Sequence, residues 1–168
     1  MPDGNHGPVD VFLSAGSNIR PEDHLRFACH ELAEEFGNLT LSSVYRNEAV
    51  GFEGEDFLNM VIGFQTEEDP ENIVARLENL HDRAGRERQD NPFSSRTLDL
   101  DLLLYGDLIR NRLKLPRDDI EKYDFVLTPL AEVAPELKHP VTGLTMTEIW
   151  DDFDHSEHPL ERVELTLD

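Results

Sequence analysis

Asp99 and Asp101 are the first residues in this 168-residue chain whose type and spacing could do chemistry. They lie in the run Arg96-Thr97-Leu98-Asp99-Leu100-Asp101-Leu102-Leu103-Leu104-Tyr105. Leucine and aspartate alternate, which is the period of a β-strand. Both carboxylates therefore share one face, with Cα atoms roughly 6.6 Å apart. Leu98, Leu100 and Leu102 take the other face, and the apolar run to Leu104 predicts burial on both sides. Paired carboxylates are hard oxygen ligands of the kind magnesium takes together with substrate phosphates. The plainer reading is a solvated strand face, because an isolated Asp-x-Asp is a weak motif.

The cations favour the chemical reading. From Arg76 to Lys122 there are ten Lys/Arg and ten Asp/Glu, so all of the formal net charge of -21 lies outside this segment. Two-thirds of the chain's 15 cations thus flank one aspartate pair. Clustered arginine in an otherwise acidic protein fits a small polyanion that arrives with its own metal, such as a nucleoside triphosphate. Ordinary surface pairing with neighbouring acids is the competing account. A third feature is Asn59, two positions after Phe57 on the strand 57–65. A ring and an amide so placed could stack on a flat polar heterocycle and bond its edge. Alone, they read equally as a sheet-end aromatic and a solvated amide.

The elements that must position these residues follow from pattern. Val9 to Ser14 reads as a strand, and Ala15 to Asn18 as a turn. Pro21-Glu22-Asp23 opens a helix striped by Leu25, Ala28, Cys29, Leu32 and Phe36 and stopped by Gly37. Leu39 to Tyr45 is predicted as a second strand, Arg46 to Asp56 as a long loop, and Phe57 to Gln65 as a third strand. Asp69-Pro70-Glu71 opens a helix carried by Ile73, Leu77 and Leu80 and ended at Gly85. Residues 86–95 form a second loop into the aspartate strand. Then come a short strand or turn near Leu108-Ile109, a turn at Leu115-Pro116, a short helix Leu130 to Val133 entered after Pro129, and a helix Thr145 to Trp150. Val163, Leu165 and Leu167 alternate as a possible edge strand. Strand, helix, strand, strand, helix, strand is the α+β, ferredoxin-like order: an antiparallel sheet with packed helices in three α-β-α layers.

Composition bounds the rest. The length suits one domain over residues 1–168, with a flexible N-terminus at 1–8 and an acidic tail at 151–168. No stretch approaches the ~20 apolar residues of a membrane span. Residues 1–8 lack the apolar core of a secretory signal. The single cysteine, Cys29, excludes an internal disulfide and fits a reducing cytoplasm. Its place on the first helix's apolar stripe makes it a core residue. The net charge argues against nucleic acid and anionic membranes as partners and is consistent with a high-salt source. The seven histidines show no metal-ligand spacing and read as solvated or turn positions.

Taken together, these residues resemble the 6-hydroxymethyl-7,8-dihydropterin pyrophosphokinase family. The likeness runs through Gly16-Ser17-Asn18, Ser42-Ser43-Val44-Tyr45-Arg46, Phe57-Leu58-Asn59, Gly85-Arg86, the Arg96–Leu103 signature, Pro129-Leu130-Ala131-Glu132 and Ala134-Pro135-Glu136. It implies pyrophosphoryl transfer from ATP to the hydroxymethyl group of the pterin, with release of AMP, in folate biosynthesis. It also implies roles. Asp99 and Asp101 would hold two magnesium ions. Arg86 and Arg96 would hold the ATP phosphates as catalytic groups, with Arg88 assisting. Asn59 would read the pterin edge, Phe57 and Phe125 would sandwich its ring, and Asn47 and Val50 would line the pocket. Leu102 would lie near the adenine. The chain departs from the commoner pattern at Asn47-Glu48, Phe57, His81, Phe93, Arg117 and Tyr123, and Arg117 would take a phosphate-binding role. The expected assembly is a cytoplasmic monomer or weak dimer.

Three other readings use the same residues. A non-catalytic pterin- or nucleotide-binding paralogue would bind ATP without forming AMP. Another two-metal nucleotidyl-transfer enzyme would release pyrophosphate. An acidic interaction domain would be indifferent to loss of Asp99 or Asp101.

Overall fold

The computed structural model describes residues 7–48, 56–85, 98–156 and 159–167. Strand β1 (Val9–Ser17) leads into helix α1 (Pro21–Phe36). Three strands follow, β2 (Thr40–Leu41), β3 (Val44–Asn47) and β4 (Phe57–Thr66), then helix α2 (Pro70–Arg83) and the aspartate strand β5 (Asp99–Tyr105). A 3₁₀ turn at Asn111–Leu113 precedes three helices, α3 (Asp119–Lys122), α4 (Asp124–Val133) and α5 (Met146–Asp152), and a last strand, β6 (Glu161–Val163). The sheet is antiparallel, ordered β5-β1-β4-β3-β6, with β2 also on β4. The expected α+β sheet between helical layers is what forms.

Period-2 alternation assigns the two faces. On one face, Leu13, Met60, Ile62, Leu98, Leu100 and Leu102 pack against α1 and α2, whose stripes include Leu25, Leu32, Ile73 and Leu77. Cys29 is buried there as expected, and burial pushes its thiol up to about 11. On the other face, Val61, Leu103 and Leu104 meet Ile120, Val126, Leu127, Leu130, Met146 and Ile149 of α3, α4 and α5. Leu103 and Leu104 both reach this layer because the β1–β5 register shifts: Leu13 faces Leu102 and Phe12 faces Leu104, which leaves Leu103 as the extra residue of a bulge. Tyr105 then returns to the first face. The unbroken Leu102–Leu104 run is the sequence trace of that bulge as well as of two-sided burial.

Several boundaries differ from the expected ones, each for a physical reason. β1 does not turn at Ala15 but runs on to Ser17, because β4 and β5 flank it to Leu58 and Asp99. The turn falls at Arg20, which takes a left-handed φ of 44°. The single strand 39–45 is two strands. Ser42 interrupts it, accepting the Val61 amide on its hydroxyl at 2.8 Å while its own N–H reaches the Val61 carbonyl at 3.0 Å. β3 continues through Asn47, shortening the expected loop. Of the strand or turn expected near Leu108-Ile109, the turn is what forms, closed by the Leu108 N–H on the Tyr105 carbonyl at 3.0 Å. α4 starts at Asp124, six residues before the expected Leu130, with Pro129 inside it. Proline lacks the N–H that would bond the carbonyl of Phe125, but the buried faces of Val126, Leu127 and Leu130 hold the helix together. β6 ends at Val163, and Leu165 and Leu167 pack on the core without pairing.

Two histidines are not solvated: His81 and His139 are 4% and 3% exposed. A third ties the C-terminal segment to α4. His155 Nδ1 lies 2.8 Å from Asp124 Oδ1 and Nε2 lies 2.8 Å from the Trp150 carbonyl, with the Trp150 ring 4.2 Å away. Both neighbours are acceptors, so both ring nitrogens must donate, which requires the imidazolium. Burial pulls its pKa down, but the Trp150 carbonyl and the Asp124 carboxylate more than offset this and leave it raised. A raised folded value means the tie stabilises fully below the unfolded pKa of about 6.5 and is lost as pH rises through the folded value. The melting-temperature gap between wild type and His155→Gln should therefore shrink across the pH window that opens at about 6.5 and closes above the raised folded value. A constant gap across that window would contradict the charged tie.

Candidate active site

The second face of the sheet is apolar only where α4 and α5 cover it. Toward the start of β5 it becomes polar, and the register places these polar residues side by side. Asp99 pairs with Gly16 across β5 and β1, Gly16 with Asn59 across β1 and β4, and Asn59 with Tyr45 across β4 and β3. Asp99 and Asn59 are therefore two strands apart, roughly 10 Å at the usual strand spacing. Asp101 continues the line beside Ser14, and Phe57 beside Asn47.

Asn59 is 8% exposed and donates from Nδ2 to Asn47 Oδ1, while Asn47 Nδ2 donates to the Glu48 carbonyl at 3.1 Å. This amide relay fixes which groups remain to read a ligand edge. Gly16 makes the relay possible. A Cβ there would stand 2.6 Å from Asn59 Oδ1, closer than such contacts occur. Phe125, in the first turn of α4, stacks on Tyr123 with centroids 5.1 Å apart and planes 19° apart. α4 is tethered to β3 by Glu132, which accepts from the Ser43 N–H and hydroxyl and from the Tyr45 hydroxyl at 2.8 Å. The helix carrying Phe125 and the strand carrying Asn47 thus keep a fixed separation.

Arg117 joins the aspartates. Its N–H bonds the Leu103 carbonyl at 3.0 Å, its Nε donates to Asp119 Oδ2 at 3.1 Å, and Nη2 lies 3.7 Å from Asp101 Oδ1. The Asp101 side chain is 35% exposed. Burial pushes its carboxyl up, Arg117 pulls it down, and Asp99 and Asp119 push it up again, leaving it above the usual carboxylate range. Burial lowers the Arg117 pKa, but the surrounding aspartates raise it further, so Arg117 is a secure cation. Two neighbouring carboxylates, one of them held above its usual range by burial and by the other, are what a divalent ion would relieve. Among the described residues no group of three or more His, Cys, Asp or Glu side chains gathers to hold a metal. An ion on Asp99 and Asp101 would therefore complete its shell with water and phosphate oxygens, the habit of magnesium.

The remaining expected residues divide. Arg86, Arg88, Arg96 and Val50 lie outside the described residues. Leu102 is present, but its side chain is buried in the α1–α2 layer, on the opposite face from the aspartates. Two contributors stood out in the sequence without their roles being legible. Gly16 carried a turn signal and a place in the Gly16-Ser17-Asn18 motif, and His81 stood only as a departure from the family pattern. His81 continues the spacing Ile73, Leu77, which already marks an inward position on α2. A groove of about 590 Å³ lies at the other end of the sheet near Phe36, Asn38 and Thr40 and touches none of these groups.

Fold and site define a class: ferredoxin-like α+β proteins whose sheet sets paired carboxylates two strands from an amide relay and aromatic rings. Residues 12–135 match the family model of 7,8-dihydro-6-hydroxymethylpterin-pyrophosphokinase, and the chain belongs to that family. It is 34% identical over 135 residues to the 2-amino-4-hydroxy-6-hydroxymethyldihydropteridine pyrophosphokinase of Aquifex aeolicus, covering 78% of this chain and 84% of that one. Against the Synechocystis protein of the same name it is 35% identical over 159 residues, covering 92% and 80%. A crystal structure of Plasmodium falciparum HPPK-DHPS superposes with a TM-score of 0.68 over 88% of this chain and 44% of that longer one. At 12% identity that likeness bears on the fold.

Proposed function

We propose that this chain transfers the pyrophosphoryl group of ATP to 6-hydroxymethyl-7,8-dihydropterin, forming the pterin diphosphate and AMP for folate biosynthesis. The observation that carries the reading is the register row Asp99–Gly16–Asn59, a carboxylate and a buried amide on one face with a glycine between them. The two curated relatives bear the same pyrophosphokinase name.

The substrate hydroxyl attacks the β-phosphorus and releases its proton to solvent, the bond from the α,β-bridging oxygen to that phosphorus breaks, and AMP leaves with that oxygen. Such transfer needs positioning and charge neutralisation more than a protein nucleophile. Asn59, steadied by Asn47, bonds the pterin edge, and Phe57 and Phe125 hold its ring. Two magnesium ions on Asp99 and Asp101, when bound, would neutralise and orient the phosphates. Arg117 adds a fixed positive charge on the same face, with Arg86, Arg88 and Arg96 on the phosphates and Val50 in the pterin pocket. The placement of Arg117 beside Asp101 argues against a paralogue that has lost turnover, since that departure from the family pattern puts a cation next to the carboxylates. No helix among the described residues is long and apolar enough to cross a membrane. We take the working form to be one domain, monomeric or weakly dimeric, in the cytoplasm.

The test is an endpoint assay with ATP, magnesium and the pterin at low and at molar salt. Pterin-dependent AMP together with pterin diphosphate is the expected result. Pyrophosphate release, or ATP binding with no AMP at either salt in a folded protein, would overturn it.

A further inference from the structure

We propose that His81 is a positioning residue for the two aspartates, acting through the peptide between them. The proposal rests on the reading of Asp99 and Asp101 as metal ligands. Among the described residues β5 is an edge strand, with β1 on its inner side and no strand on its outer side. The N–H of Leu100 points to that outer side and donates to His81 Nε2 at 2.8 Å. This N–H belongs to the peptide that joins Asp99 to Leu100. Fixing its plane fixes ψ of Asp99 and φ of Leu100, and so the angle between the two carboxylates on the opposite face.

The ring is well built for this. His81 is 4% exposed on α2, a helix anchored by Ile73, Leu77 and Leu80, so its Nε2 is held relative to the core. To accept an amide proton, Nε2 must be bare, which puts the ring proton on Nδ1. Nδ1 faces Glu78 Oε2 at 3.4 Å, an acceptor suited to that tautomer. Further along the same edge, the Arg117 N–H bonds the Leu103 carbonyl at 3.0 Å. The outer edge of β5 is thus pinned on both sides of Asp101, by α2 at Leu100 and by the segment carrying Arg117 at Leu103. An edge strand without such struts can twist, and a metal pair tolerates little rotation of its ligands. Partners that orient metal ligands are commonly worth about 10–100-fold in metal affinity.

The experiment compares wild type, His81→Gln and His81→Leu. Glutamine offers an oxygen to the Leu100 amide, and leucine offers none. Magnesium is titrated against binding of a non-hydrolysable ATP analogue, the KM for pterin is measured, and the melting temperature is recorded. His81→Leu should need roughly 10-fold or more magnesium for half-maximal binding, with the pterin KM unchanged, and His81→Gln should recover most of the loss. Nitrogen NMR of the wild-type ring should show Nδ1 protonated and Nε2 bare. A magnesium dependence identical in all three proteins, equal losses in both variants, or a protonated Nε2 would overturn the proposal. The ring tautomer and the analogue titration need no turnover. A protein that forms no AMP would defeat the pyrophosphokinase reading while leaving this one to be judged separately.

Discussion

Asp101→Asn should give a folded protein that forms AMP at least ~10³-fold more slowly than wild type. Asparagine keeps the shape and removes the charge, so the change isolates the electrostatic role. Losing a metal ligand removes several kcal/mol of transition-state stabilisation, and about 4 kcal/mol corresponds to ~10³ in rate. The same change should leave the metal-free melting temperature unchanged or higher. Burial and the neighbouring Asp99 hold the Asp101 carboxyl above its unfolded value. An acid raised in this way penalises the folded state as pH rises above the unfolded pKa of about 3.9, and the penalty is complete above the folded value. Asparagine escapes it. Activity and stability should therefore move in opposite directions, the trade expected where a site is built for function. Asp99→Asn should show the same loss of turnover. Rates within tenfold of wild type in either variant would remove the metal assignment. A clear fall in melting temperature for Asp101→Asn would contradict the electrostatic account.

Gly16→Val should cost about 10²-fold in kcat/KM for the pterin while affecting ATP-analogue binding far less. Glycine here is a matter of space rather than of backbone freedom. A Cβ would meet Asn59 Oδ1 at 2.6 Å, with the Leu58 carbonyl at 3.8 Å. Asn59 cannot swing away freely, because its amide is engaged by Asn47 and flanked by Tyr45 across the strand. The branched side chain must displace the amide proposed to read the ring, and a misplacement of about 1 Å is enough for ~10² in rate. Overpacking should also cost about 1–3 kcal/mol of stability. Pterin titration by fluorescence, alongside the ATP-analogue titration, separates the two effects. Normal pterin affinity in a folded Gly16→Val protein would show that Asn59 is not the ring-reading group.

The sequence by itself determined the strand that carries the carboxylates. Period-2 alternation sorted Asp99 and Asp101 from Leu98, Leu100 and Leu102, and burial follows that sorting. It also determined the two long helices, because their apolar stripes repeat over several turns and proline marks both starts. These signals are local, and local patterns survive in a linear chain. The likeness to the pyrophosphokinase family was legible for the same reason, as short motifs in order.

Only the tertiary structure decided the rest. The role of Gly16 depends on Asn59, 43 positions further along the chain, and its turn-like sequence gave way to pairing on both flanks. α4 reaches back to Asp124 across Pro129 because burial against Val61 and Leu103 outweighs a missing hydrogen bond. Arg117 meets Asp101, and His81 meets Leu100, only because the chain turns back along an edge strand. These are contacts between distant segments, and their energy comes from desolvation and geometry that no single stretch of sequence contains.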